Sequence, residues 1–148
     1  MRMPMLCLAV LLASAPFGAL AVDTTISRDA PDLTSVRAKI KAKDFRGALK
    51  ELTPMLDTHQ HADVYNLMGF SLRKTGDYKQ AYTFYRKALD FDAVHKGAHE
   101  YLGELYVETG QIEKAREHLA VLRKLCPSGC EELEDLEAAI KAAAPKTN

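Results

Sequence analysis

The sequence has little of what most catalytic or nucleic-acid-binding proteins depend on. Tryptophan is absent from its 148 residues, and 20 Lys and Arg residues balance 20 Asp and Glu residues. A balanced charge gives no electrostatic basis for binding nucleic acid or an acidic membrane surface. Nor is a Ser-His-Asp arrangement, a glycine-rich phosphate loop or a complete set of metal ligands recognisable. We therefore expect a protein that is not an enzyme and needs no cofactor or metal.

The chain also lacks the alternation of apolar and polar residues that indicates β-strands. Ala, Leu, Glu and Lys, which favour helices, are abundant instead. The length is sufficient for one modest domain. Together these features predict a single all-α domain.

Residues 1–21 have the features of a secretory signal peptide. Arg2 supplies the positive end, residues 5–12 form an apolar run, and residues 19–21 fit the small-x-small cleavage pattern. A membrane anchor is the alternative reading, which the proline and glycine within the segment weaken. Cleavage would leave a mature chain beginning at Val22, with 19 basic and 20 acidic residues and a net charge of −1.

We expect residues 22–30 to form a flexible leader and residues 145–148 a disordered tail. The short signal favours export to the periplasm, with no membrane contact after cleavage. The periplasm would place Cys126 and Cys130 in an oxidising compartment.

Two copies of one pattern occupy residues 65–127. Gly69 and Gly103 are 34 residues apart, and so are Ala81 and Ala115. The first copy comprises Tyr65, Met68, Gly69, Leu72, Gly76, Asp77, Tyr78, Ala81, Tyr85 and Ala88. The second comprises His99, Leu102, Gly103, Tyr106, Gly110, Gln111, Ile112, Ala115, Leu119, Leu122 and Pro127.

This pattern resembles the tetratricopeptide repeat, a helix-turn-helix unit of that period. The resemblance implies an antiparallel helix-pair solenoid that acts as a protein-interaction scaffold. Apolar spacing predicts helices over residues 62–74, 78–91, 96–108 and 112–125. The large apolar and aromatic residues of the pattern are expected to fill the core, with glycine just past two helix ends.

The fold class predicted is thus an all-α solenoid of about three repeats with a C-terminal capping helix. The repeats are expected at residues 31–61, 62–95 and 96–128, and the capping segment at residues 129–144. The first repeat is degenerate, because Val36 stands where Gly69 and Gly103 stand in the others. Its first helix is expected over residues 31–42, and Pro54 should kink or end its second.

The capping helix is predicted over residues 131–143, with Ser128 and Glu131 at the spacing of a capping box. Cys126 and Cys130, just before it, favour a structural disulfide. A redox-active pair and a copper or zinc site are the alternatives. His118 is the nearest candidate for a further metal ligand. A weaker metal hypothesis involves His95 and His99, four residues apart.

In the family, the first helices of each pair line a concave groove that binds an extended peptide or a helix. Carried over by position, the groove runs from basic to acidic side chains, which fits a ligand with both signs of charge. The groove residues are Arg37, Lys41, Asn66, Phe70, Arg73, Lys74, Glu100, Glu104, Val107 and Glu108.

These inferences give three functional hypotheses. The first is a non-catalytic, exported adaptor that binds a partner protein in the groove. The second is a thiol-disulfide or metal-handling accessory protein that uses Cys126 and Cys130. The third is self-association through the thinly covered N-terminal face of the repeat stack.

Overall fold

The computed structural model describes residues 29–144 of the chain. The predicted signal peptide, most of the predicted leader and the predicted tail lie outside the described residues. Within the described range the chain forms seven α-helices and no β-strand. The helices are α1 (Thr34–Lys41), α2 (Phe45–Thr58), α3 (Ala62–Lys74), α4 (Tyr78–Phe91), α5 (Lys96–Glu108), α6 (Ile112–Leu125) and α7 (Glu131–Ala143). This all-α architecture is the one that the sequence predicts.

The predicted bounds of α3 to α7 are confirmed. The predicted start of α1 is wrong, and of the two effects expected at Pro54 the end of α2 is contradicted. Helix α1 begins at Thr34 rather than at Pro31. Helix α2 does not end at Pro54 but continues through it to Thr58. Proline removes one backbone hydrogen bond from a helix. The helix is held beyond it by the apolar face that includes Leu52 and Met55, which packs into the core.

The turns inside the first two helix pairs end in the same kind of helix cap. Asp44 and Asp77 cap α2 and α4, each accepting a hydrogen bond from the backbone N–H three residues on. Before Asp77 stands Gly76, with a φ of 92°, a left-handed conformation that glycine adopts without strain. The first pair has Lys43 there instead, with a φ of 61°. The first repeat is therefore degenerate in its turn as well as at Val36.

The helices stack in chain order, each packing on the next. In addition α3 contacts α5, and α5 contacts α7, whereas the even-numbered helices form no comparable contacts with one another. Helices α3, α5 and α7 therefore share one side of the stack, and the ion pair of Arg37 with Asp63 places α1 beside α3 on that side. We call their solvent-facing side the concave face.

The core forms where the sequence predicts it. The predicted core residues are all buried: Tyr65, Leu72, Tyr85, Leu102, Tyr106 and Leu119. Ala81 and Ala115 have no solvent exposure, as expected for crossing points between helices. A Cβ on Gly69 would lie 2.7 Å from the ring of Tyr85, so this glycine permits close approach of α3 and α4.

Helix α7 is fully part of the stack. Leu136 is completely buried and lies against Gly103 of α5, where a Cβ would come within 2.5 Å of its side chain. The predicted capping box is wrong, because the residue that caps α7 is Cys130, without a side-chain hydrogen bond, and Ser128 lies outside the helix.

No helix in the described range has the length and apolar character needed to cross a membrane.

Candidate concave binding surface

The concave face is the candidate functional site, and the predicted groove residues differ there in exposure. Arg37, Lys41, Lys74 and Glu108 are exposed to solvent. Phe70, Glu104 and Val107 are half-buried. The remaining three are buried: Asn66, Arg73 and Glu100. The side chains of the buried three lie beneath the concave face, so a partner could reach only a small part of each.

Arg73 is the centre of an ion-pair cluster that joins α3 to α5. Its guanidinium donates to Glu104, and also to Glu108 over 3.2 Å from Nη1 to Oε1. Only 1% of the Arg73 side chain is exposed. The guanidinium carbon also lies 5.6 Å from the ring centroid of Phe70 and 5.7 Å from that of Tyr101. We call Arg73, Glu104 and Glu108 the Arg73 cluster.

An aromatic row lies beside this cluster and crosses three helices. The rings of Phe70 in α3 and Tyr101 in α5 are 4.7 Å apart, and Phe45 of α2 lies edge-on to Phe70 at 6.1 Å. The Nζ atom of the exposed Lys74 lies 5.2 Å from the Phe70 ring. The row therefore combines a partly accessible aromatic surface with positive charge at its rim.

A second region of the face is a cleft of about 260 Å³ at the N-terminal ends of α3, α5 and α7. We call it the acidic cleft. Its charged and polar lining comes from Arg37, Asp63, Asn66, His95, Glu100, Glu131, Glu132 and Asp135. Sequence reasoning predicted only Arg37, Asn66 and Glu100 of these. Asp63, His95, Glu131 and Glu132 come from the N-cap or first turn of a helix, and Asp135 comes from the following turn of α7. The repeat pattern does not specify these positions.

Glu100 is the least compensated charge in the acidic cleft. The residue is 7% exposed, and within residues 29–144 its carboxyl has no hydrogen-bond or ion-pair partner. Burial, reinforced by the nearby carboxylates of Glu104, Asp135 and Glu132, raises the pKa of Glu100 to about 8. The positive charge of Arg73 opposes this rise without reversing it.

Asp63, on the opposite wall, is well compensated. His95 Nε2 lies 3.0 Å from Asp63 Oδ1, and an Arg37 Nη atom lies 3.6 Å from the same oxygen. The hydrogen bond from His95 and the positive charge of Arg37 keep the pKa of Asp63 below its usual value despite partial burial. His95 Nδ1 accepts the backbone N–H of Ala98, so His95 also caps α5.

Asn66 forms the floor between these walls. It is 4% exposed, and its side-chain Oδ1 has no hydrogen-bond partner. A Cβ on Gly97 would lie 3.1 Å from Asn66 Nδ2, so the glycine leaves room for the amide. The floor thus holds an unused polar atom, which is uncommon for a buried amide.

Comparisons with known proteins agree with this architecture. Residues 72–142 match the family model of the tetratricopeptide repeat. The chain is a tetratricopeptide-repeat protein. The matched stretch runs through α7, so the last helix continues the repeat pattern instead of being foreign to it. No curated protein matches the sequence significantly.

Solved structures share the repeat fold at low sequence identity. The translocator chaperone SycD of Yersinia enterocolitica type III secretion matches with a TM-score of 0.66 and 13% identity, over 74% of this chain and 84% of its own. The first repeat domain of Spaghetti (RPAP3), bound to the HSP90 peptide SRMEEVD, matches at 0.64 and 14%, over 74% and 87%. PcrH, in complex with the chaperone binding region of PopB, matches at 0.60 and 19%, over 80% and 100%.

The histidines of this tetratricopeptide-repeat protein are engaged in structural contacts. His99 is buried as predicted, and its Nδ1 lies 2.8 Å from Nδ1 of His118. His99 Nε2 lies 3.1 Å from the carbonyl oxygen of Ala93, which can only accept, so Nε2 carries the proton. The Nδ1 atoms of the two rings share the second hydrogen bond. Burial, followed by the charges of His99 and Arg86, lowers the pKa of His118 to about 4.

This pairing bears on both metal hypotheses. His118 faces His99 rather than the two cysteines, and His95 is occupied by Asp63 and Ala98. The Sγ atoms of Cys126 and Cys130 lie at bonding distance, with Cα atoms 5.8 Å apart. A carboxylate oxygen of Glu132 lies within 4.8 Å of them. The structure therefore brings an acid, not a histidine, to the cysteine pair.

Proposed function

We propose that this protein is a non-catalytic interaction scaffold, exported to the periplasm, that binds a peptide or a helix of a partner protein on its concave face. Three of its structural neighbours were solved with bound segments of other proteins: Spaghetti with an HSP90 peptide, and PcrH with the chaperone binding regions of PopD and PopB. These support the class of function, not the identity of the partner.

One observation on this chain carries the proposal. Lys41 and Lys74 remain exposed on the concave face, and Lys74 lies over the partly accessible ring of Phe70. A rigid aromatic surface with charged groups at its rim provides both the apolar burial and the positioning that peptide grooves need.

Export is supported by the sequence features of residues 1–21. It also fits a disulfide between Cys126 and Cys130 that tethers α7 to the last repeat.

The test is a charge reversal that leaves the core intact. Asn66 and Arg73 are unsuitable for it because both are buried. The variant Lys41→Glu/Lys74→Glu should lose at least about tenfold in partner affinity. Its matched control is Lys50→Glu/Lys79→Glu, which reverses the same charge on exposed positions of α2 and α4.

Affinity capture from the native exported fraction would compare wild type with both variants. A protein held by the wild type and the control but lost from the concave-face variant supports the proposal. Equal capture by all three would place the binding surface elsewhere. If circular dichroism shows that either variant has unfolded, Lys41→Gln/Lys74→Gln and its matched glutamine control take their place.

A further inference from the structure

We propose that the acidic cleft binds one cationic side chain, the guanidinium of an arginine or the ammonium of a lysine, carried by the partner polypeptide. The proposal deepens the scaffold function and rests on it. It assigns to one part of the concave face a chemical preference that the repeat pattern does not specify.

The first argument is the unpaired carboxyl at the wall of the cleft. Glu100 is buried, lines the cleft and has no hydrogen-bond or ion-pair partner within residues 29–144. A carboxyl in a largely buried residue is ordinarily paired, because it is poorly hydrated there. Its neighbour Glu104, one turn along α5, shows the usual arrangement through its ion pair with Arg73. A cation entering the cleft would supply to Glu100 the partner that Arg73 supplies to Glu104.

The second argument is the balance of charge around Glu100. Arg37 and His95 both contact Asp63 on the α3 side, and Arg73 is bound by Glu104 and Glu108. Helix α7 contributes further acidic groups to the lining and no basic one. Those groups are Glu131, Glu132 and Asp135. No residue of α4 or α6 lines the cleft. The charge that remains is therefore negative on the walls formed by α5 and α7.

The third argument is the unused acceptor on the floor. Asn66 is buried, lines the cleft and has no hydrogen-bond partner for its Oδ1. Guanidinium and ammonium groups only donate hydrogen bonds, and they need several acceptors in different directions. A carbonyl oxygen on the floor, with carboxylates on the walls, meets that requirement. Oδ1 is itself shielded from solvent, so a rotation of the amide that exchanges Oδ1 and Nδ2 would bring the acceptor to the bound group.

The dimensions favour an organic cation over a metal ion. In the described part of the chain, the single group of three possible ligands close enough to share an ion is Cys126, Cys130 and Glu132. The acids that line the cleft are thus not gathered as a coordination site would gather them. A cleft of about 260 Å³ is instead large enough for the end of a long basic side chain.

Binding should be coupled to release of a proton. Burial and the surrounding acids hold the pKa of Glu100 near 8. In most molecules with an empty cleft, Glu100 is therefore neutral at pH 7. A bound cation favours the ionised form. The charged groups that act most strongly on Glu100 are Glu104 of α5, Arg73 of α3, and Glu132 and Asp135 of α7. The other charged or titratable groups in the cleft lining are Arg37, Asp63, His95 and Glu131. Affinity for the cation should therefore rise between pH 6.5 and pH 9.

The test uses a defined probe, so that it does not depend on knowing the partner. Isotope-labelled protein is titrated with N-acetyl-arginine N-methylamide and, in parallel, with the uncharged N-acetyl-citrulline N-methylamide. We expect saturable shifts of the amide resonances of Asn66, Gly97 and Glu100 with the arginine compound, and at least about tenfold weaker binding of the citrulline compound. Affinity for the arginine compound should increase with pH.

Glu100→Gln should reduce that affinity by about tenfold or more, because it removes the charge and keeps the shape of the side chain. Glu117→Gln, the same substitution at an exposed position of α6 outside the cleft, should leave it unchanged. Equal binding of the two compounds, no shifts in the cleft, or unchanged affinity of Glu100→Gln would each overturn the proposal. Calcium chloride producing the same shifts, and displacing the arginine compound, would overturn it in favour of a metal site.

This experiment separates the two proposals. If the arginine compound does not bind while the capture experiment still retains a partner on the concave face, the scaffold function stands and the cleft assignment is wrong. If the compound binds in the cleft but no partner is captured, the cleft recognises a cation and the scaffold function is wrong.

Discussion

Glu104 and Glu100 lie one turn apart on α5, and their surroundings differ completely. Glu104 is paired with Arg73, whose side chain is held between two carboxylates and two aromatic rings. Glu100 is the more buried of the two glutamates but has no partner within the described residues. One end of the concave face therefore holds a glutamate with a cationic partner, and the other holds a glutamate without one.

The difference indicates which part of the surface is available to a ligand. Removing one member of a buried ion pair leaves the other uncompensated, so the Arg73 cluster has little to gain by exchanging its contacts for those of a partner. The acidic cleft can only gain from a cation. Residues of the predicted groove thus divide into those that hold α3 against α5 and those that can receive a partner.

The largest effect that would test this division is the loss of Arg73. Arg73→Met should lower the free energy of unfolding by about 3 kcal/mol, because Glu104 and Glu108 would be left facing each other without a cation. The control is Arg116→Met, which removes an exposed pair with Glu113 and should change stability by less than about 0.5 kcal/mol. Urea unfolding at neutral pH measures both. Similar losses in the two variants would show that the Arg73 cluster is not an internal support.

Much of this fold follows from the sequence because repeat spacing determines it. Gly69 and Gly103, Ala81 and Ala115, and the aromatic residues of the pattern occupy positions fixed by helix packing, and the bounds of α3 to α7 were predictable from them. The errors in the first pair arise where the pattern is weak. At Pro54 the helix continues, because burial of the apolar face of α2 compensates for the backbone hydrogen bond that proline removes.

The site was less predictable than the fold. Position in the repeat identifies which residues face the groove, but not which of them pair with one another. These pairings depend on how closely neighbouring helices approach each other. Arg73 pairs with Glu104 and Glu108 in this way, and His95 and Arg37 both pair with Asp63. The contribution of α7 to the acidic cleft was missed because α7 was read only as a cap.

The next effect in size is the pH dependence that Glu100 imposes. Its pKa in the folded protein, about 8, lies above its ordinary value of 4.5. The folded state therefore holds a proton that the unfolded state releases, and stability falls as pH rises from about 4.5 to about 8. Glu100→Gln should remove this fall and be more stable than wild type at pH 8 by about 2 kcal/mol, after allowance for solvent screening.

Urea unfolding of wild type and Glu100→Gln at pH 5 and pH 8 measures the effect, with Glu117→Gln as the control. The variant should differ from wild type much more at pH 8 than at pH 5. A difference that is constant with pH would mean that Glu100 is already compensated, and the contrast with Glu104 would disappear.

The smallest effect concerns a third arrangement on α5, in which His99 pairs with His118 of α6. The pKa of His118, lowered to about 4 from its ordinary 6.5, means that the unfolded state binds a proton more readily than the folded state. The contribution of His118 to the free energy of unfolding should be fully present above about pH 6.5. It should decrease by about 1 kcal/mol as pH falls toward 4. His118→Gln retains a donor for His99 Nδ1 but cannot be protonated, so it should flatten this acidic decrease. The control is His59→Gln in the connector between α2 and α3. If the acidic decrease persists in His118→Gln and vanishes in the control, His118 is not its source. The pair of His99 and His118 would then not be a third kind of arrangement beside the glutamates of α5.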